Sequence, residues 1–203
     1  MTDITSPSPS SIWAWPLAEF RDALAGQAAV PSCGATAAVC GNLGLALVTM
    51  ALGKSQSRHP SARLAALLHQ AKALMPRLGA HADADMRAFG RFIEDLPRTE
   101  PDDAQRQADV TRMTEGARRA AEDAQQALEL AAAAAPLAAE GLRCDVLAGG
   151  QMIYASVQAL LLNLAEDLPL LTDQAAAQAF EGARAALSER ARTAVEALLG
   201  IPR

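Results

Sequence analysis

An all-α fold, a multi-helix bundle packed around one buried apolar helix, is what this sequence predicts, and three observations predict it. Aromatic residues make up only 3% of a 203-residue chain that is 51% apolar, so the core must be built from small aliphatic side chains, which favours close-packed helices over a sheet. Two long runs, residues 23–52 and 146–165, carry no charged residue. A helix that is apolar all round must be enclosed, so other helices are expected to surround these two. No stretch alternates apolar and polar residues with the period of a strand, and no internal repeat emerges. The length suits a single helical domain, residues 12–203, behind a Ser/Pro-rich lead, residues 1–11, that lacks the apolar segment of a signal peptide and is expected to be disordered.

In chain order, Trp15-Pro16 opens a short first helix that Gly26 closes. The buried helix follows over about residues 34–52. Pro31 stiffens the approach to it, Ser32 is placed as its N-cap, and the small Gly34 and Ala35 leave first-turn N–H groups open to a ligand. Gly41 and Gly44 allow another backbone to come close. A loop over residues 53–59 then carries Lys54 and Arg58. Pro60 is placed as the first residue of a third helix, with Leu64, Leu67, Leu68, Ala71 and Leu74 at helical spacing and Gly79 beyond its end. A fourth helix spans residues 83–94. After the acidic turn at residues 99–103, a long Ala-rich helix covers residues 104–134 and breaks near Pro136. The junction at residues 141–145 leads into the second charge-free helix. Thr172-Asp173 caps the last helix, whose stripe of Ala176, Phe180, Ala183, Leu187, Ala191, Ala194 and Leu198 ends at Gly200.

The formal charge of −5 is unevenly spread. Between Asp22 and Asp83 there is no acidic residue, while Lys54, Arg58, Arg63, Lys72 and Arg77 are present, so this segment carries +5 and the rest −10. A cationic segment on an acidic protein points to a small anionic ligand, not to nucleic acid. The charge-free runs are long enough to span a membrane, but Pro31, Asn42, Gln151, Gln158 and Asn163 interrupt them with groups that hydrocarbon tolerates poorly, so no membrane is expected. Three cysteines cannot all pair, and none stands in metal-type spacing with histidine, which points to the cytoplasm and to no metal. Cys33 and Cys40 share a helical face and read as small apolar residues; Cys33, near a helix start, is also placed for a lowered thiol pKa. His59 and His69 form no ligand pattern.

The segments Pro31-Ser-Cys-Gly-Ala-Thr-Ala-Ala38 and Leu43-Gly-Leu-Ala-Leu-Val-Thr-Met50 resemble the signature of the cyclodeaminase/cyclohydrolase family, Pro-Gly-Gly-Gly-Ser-Ala-Ala-Ala followed by Leu-Gly-Ala-Ala-Leu-Val-Ser-Met. Of its three glycines Gly34 remains, with Ser32 and Cys33 in place of the others. Gly53-Lys54 resembles the Gly-Lys that follows. Asp83-Ala-Asp85-Met-Arg-Ala-Phe89, with Leu96-Pro97-Arg98 after it, is similar to the family's Asp-x-Asp-x-x-Ala-Phe and Leu-Pro-Lys. Cys144-Asp145 stands where members have Ser-Asp, and Ala159-Leu-Leu-Leu-Asn163 matches Ala-Leu-Leu-Asn. The resemblance implies an all-helical homodimer with a folate site near the start of the buried helix.

The expected activity is that of a methenyltetrahydrofolate cyclohydrolase, which adds water to a cationic amidine-like carbon and opens the bridge to the 10-formyl form. A carboxylate near that carbon stabilises the cation and takes the water's proton. Asp145 is the first candidate by its place in the resemblance, with Asp83 and Asp85 next. Ser32, Cys33, Gly34, Ala35 and Asn163 are expected to bind the substrate, and Lys54 and Arg58 its glutamate carboxylates. The tetrahydrofolate derivative is the substrate, with no further cofactor. Two alternatives stand beside this reading: formimidoyltetrahydrofolate cyclodeamination, which needs an acid to protonate departing ammonia, and a non-catalytic folate-binding or scaffold dimer.

Overall fold

The computed structural model describes residues 11–200. They form six α-helices: α1 (Leu17–Leu24), α2 (Cys33–Arg58), α3 (Ala62–Asp95), α4 (Ala104–Ala134), α5 (Arg143–Asp167) and α6 (Gln174–Leu199), joined by short turns, with no strand among the described residues. The expected disorder of the lead falls on residues 1–10, outside the described ones. Ser11 is described, and it caps the first turn by accepting a hydrogen bond from the Trp13 N–H.

Helices α2 and α5, which contain the two charge-free runs, run antiparallel and form the largest helix–helix contact, because glycines let their backbones meet. A Cβ on Gly44 would stand 2.6 Å from the carbonyl oxygen of Gly149, and one on Gly149 2.5 Å from that of Gly44. Two turns away, Ser156 Oγ donates to the Ala37 carbonyl (2.6 Å), filling the space that Gly41 leaves. These are the two described helices long and apolar enough to cross a membrane, and here they are core helices that cover one another. Helices α3 and α4 pack on this pair and α6 closes the far side against α4 and α5. The main core joins α2 to α6 through Leu45, Val48, Leu78, Leu128, Ile153, Leu160 and Leu198.

Enclosure of α2 is incomplete. Cys40, Leu47 and Met50 are half-buried and Leu43 is 47% exposed, while on α5 Leu162 is 67% exposed. The pair thus keeps large apolar side chains exposed.

Three boundaries differ from expectation. The loop at 53–59 is helix: α2 continues to Arg58, and Ser55, fully buried, accepts a hydrogen bond from the Ala139 N–H (2.9 Å). The third helix starts after Pro60, with Ser61 as N-cap to the Leu64 N–H (3.1 Å). Most importantly, the third and fourth helices are one, the 34-residue α3, with Pro76 and Gly79 inside it. A proline inside a helix costs about 3 kcal/mol, but an apolar face bearing Leu74, Leu78 and Ala82 is buried on both sides of it. Two tertiary donors support the backbone there: Asn42 Nδ2 donates to Met75 O and Trp13 Nε1 to Gly79 O, each at 2.9 Å. Gly79 is required by that approach, since a Cβ would lie 2.5 Å from Asn42 Nδ2. By contrast α4 and α6 begin at their caps Asp103 and Asp173, and α6 ends on Gly200 at φ 69°.

Candidate active site

The start of α2 is capped from outside. Ser32 does not cap it with its own side chain. Its hydroxyl donates instead to Asp85 Oδ2 (2.7 Å), and the same oxygen accepts the Ala35 N–H (2.9 Å). A carboxylate of α3 therefore occupies the helix start that was expected to lie open to a ligand. Gly34 is the residue this requires: a Cβ there would stand 2.1 Å from Asp85 Oδ1 and 3.0 Å from Asn163 Nδ2. The retained glycine makes room for Asp85, while Ser32 supplies a hydrogen bond and Cys33 is exposed.

Asn163 and Asp167 lie one turn apart on α5, so they project to the same side. With Ser32, Cys33, Asp85, Phe89 and Met113 they line a cavity of about 190 Å³. Asp167 is 7% exposed and its Oδ2 has no hydrogen-bond partner among the described residues. Burial, with the nearby charges of Asp85 and Glu166, raises its pKa to about 7. Asp85 is raised as well, because burial outweighs the hydrogen bonds from Ser32 and Ala35. Cys33 goes up too, through burial and then the Asp85 charge, opposite to the lowered thiol expected at a helix start.

Asp85 and Gly34 also line a second, larger cavity of about 530 Å³ between α3 and α4, floored by Leu160 of α5. Its walls carry His81, Arg87, Arg91, Arg112 and Arg119. Arg112 is paired with Asp109 and Arg119 with Glu115, whereas Arg87 and Arg91 have no ion pair among the described residues. A third, mainly apolar cavity of about 440 Å³ lies beyond Ser32 and Cys33, between α2 and α5, and reaches Cys40 and Leu24. No group of three metal-ligating side chains stands together among the described residues.

Of the candidates read from the sequence, the structure brings together Ser32, Cys33, Gly34, Ala35, Asp85 and Asn163. Asp83 points elsewhere and ties down the first turn of the described residues: Oδ2 accepts from Ser11 Oγ (2.7 Å) and Oδ1 from the Ile12 N–H (2.8 Å). Asp145, in the first turn of α5, and Lys54 and Arg58, near the end of α2, are at the opposite end of the antiparallel pair. At 1.5 Å per residue, Lys54 is about 30 Å from Gly34 along α2, and Asp145 about 27 Å from Asn163 along α5. Arg58 donates to the Glu140 carbonyl there (3.1 Å). One chain thus cannot bring these three to the cluster around Asp85. Asp167, His81, Arg87 and Arg91 were not singled out in the sequence. The four-residue step from Asn163 to Asp167 was the available signal for the first of them.

Residues 16–186 match the family model described as formiminotransferase-cyclodeaminase. The chain is 31% identical over 175 residues to the formimidoyltransferase-cyclodeaminase of Gallus gallus, covering 78% of this chain and 31% of that protein. The corresponding protein of Sus scrofa is 32% identical over 111 residues, covering 52% of this chain and 20% of the relative. The chain therefore spans about a third or less of the length of these relatives. The fold matches that of a formiminotetrahydrofolate cyclodeaminase from Thermotoga maritima with a TM-score of 0.85 and 16% identity, covering 92% of this chain and 95% of that one. The helical bundle, the match along most of the chain and the likeness to the avian protein together make this chain a member of the formiminotransferase-cyclodeaminase family.

Proposed function

We propose that the protein acts on formimidoyltetrahydrofolate, closing the methenyl bridge with release of ammonia. The observation that carries this reading is Asp167, a buried carboxyl that holds its proton up to about pH 7 in the same cavity as Asp85. Hydrolysis needs chiefly a base for water, but deamination must also protonate a poor leaving group, and a carboxyl titrating near neutrality suits that task. The names of the relatives agree with deamination more than with the cyclohydrolase expected from the motifs.

In this reading Asp85, held by Ser32 and Ala35, faces the cationic formimidoyl carbon and stabilises its charge, and Asn163 orients the substrate. Asp167 gives its proton to the departing nitrogen. Arg87 and Arg91, in the cavity that shares Asp85, take the carboxylate end of the folate in place of Lys54 and Arg58. The exposed Leu43 of α2 and Leu162 of α5 support a homodimer, since both gain by burial, and the cytoplasm is the compartment where such a substrate and three free cysteines belong.

The test is ammonia release from formimidoyltetrahydrofolate above the uncatalysed rate, with Asp167→Asn expected to lower kcat about 100-fold or more. Wild-type protein that hydrolyses methenyltetrahydrofolate but releases no ammonia restores the hydrolytic reading. Binding of either folate without turnover leaves the scaffold reading.

A further inference from the structure

The proposed reaction needs a proton acceptor as well as an acid, and neither Asp85 nor Asp167 is free for that role. Helix α3 carries Arg77, His81 and Asp85 at four-residue intervals, which sets them on one face about 6 Å apart. His81 is half-buried in the wall of the larger cavity, one turn from Asp85. Its Nε2 lies 2.9 Å from Asp123 Oδ2, and Asp123, buried on α4, is also paired with Arg77. Against a carboxylate Nε2 must be the donor, so the contact fixes the ring and leaves Nδ1 as the nitrogen that can accept a proton. Arg77, paired with the same carboxyl group, holds Asp123 in place against the ring. A clamp between helices would need only the Arg77–Asp123 pair.

From this juxtaposition we infer that His81, oriented by Asp123, is the general base that takes the proton from N10 of the folate. The inference rests on the cyclodeaminase reading. As the N10 lone pair bonds to the formimidoyl carbon, the C=N π pair moves onto the terminal nitrogen and N10 becomes cationic. His81 Nδ1 removes the N10 proton. Asp167 then protonates the terminal nitrogen, the carbon–nitrogen bond breaks with its electrons leaving on ammonia, and the N5 lone pair forms the methenyl cation. The proton held by His81 returns to Asp167 through solvent, so the substrate cation yields the methenyl cation and one ammonia.

The experiment compares wild type, His81→Gln and His81→Ala for ammonia release, KM and melting temperature, with and without added imidazole. Gln keeps an N–H for Asp123 but offers no basic nitrogen. Both variants are expected to lose about 100-fold or more in kcat with KM within about threefold, and imidazole is expected to restore at least about tenfold in His81→Ala alone. Two results overturn the assignment: kcat within about threefold of wild type in His81→Gln, or a loss in His81→Ala that imidazole leaves untouched. Wild type without ammonia release removes the cyclodeaminase reading and His81's role together, whereas active wild type with active variants removes only the latter.

Discussion

The two ends of the α2–α5 pair are built differently. At the end bearing Lys54, Arg58 and Asp145, the buried polar group, Ser55, is satisfied by the Ala139 N–H, and the charges lie at or near the surface. At the other end Asp85 and Asp167 share a small cavity, burial raises both pKa values, and one carboxyl oxygen has no partner among the described residues. A fold gains nothing from an unpaired buried carboxyl, which is why the proposed chemistry is assigned to this end, while the satisfied end is explained by folding alone.

This contrast breaks most directly with a matched pair of substitutions. Asp85→Asn is expected to lower ammonia release about 100-fold to 10,000-fold, and Asp145→Asn by less than about twofold, in steady-state assays on proteins shown to be folded. Equal losses would move the chemistry to the other end, or to a site shared between subunits.

A second effect sharpens the comparison without any substrate. Asp167 binds its proton in the folded state up to about pH 7 but in the unfolded chain only to near 3.8. Over that interval the folded protein holds the extra proton, so this residue's contribution to stability is undiminished below pH 3.8, falls as pH rises to 7 and stays low above it. Asp167→Asn should therefore raise the melting temperature at pH 8 and give no gain near pH 4, with an upper bound of about 4 kcal/mol from the size of the shift. A gain that is the same at both pH values would show that Asp167 is not protonated in the folded state.

The smallest effect is expected from Lys54→Ala and Arg58→Ala. Exposed charges so far from Asp85 should change KM by less than about twofold, as surface pairs contribute no more than about 1 kcal/mol. Arg87→Ala with Arg91→Ala is the positive control, with KM rising most at low salt.

Local signals carried much of the fold. Asp103, Asp173 and Gly200 act within one turn, so α4 and α6 could be bounded from the chain alone. Gly79 misled because what carries the helix through it and through Pro76, namely Asn42, Trp13 and a buried apolar face, comes from residues distant in sequence. Asp85 and Gly34 were visible through the family pattern. Asp145 was visible in the same way, but order along the chain says nothing about which end of an antiparallel pair a residue reaches. Asp167 and His81 acquire their properties chiefly from residues on other helices, and no single segment records those.

The backbone contact between Gly44 and Gly149 works as a fulcrum. From it α2 extends about 15 Å to Gly34, and α5 about 21 Å to Asn163, so any wedge at the crossing is magnified along two stiff levers before it reaches the carboxylates. A methyl group added at Gly149 touches nothing that reacts, yet it would swing Asn163 and Asp167 away from Asp85. The tolerance of the chemistry is thus set at a bare crossing in mid-helix, where the chain keeps no side chain at all.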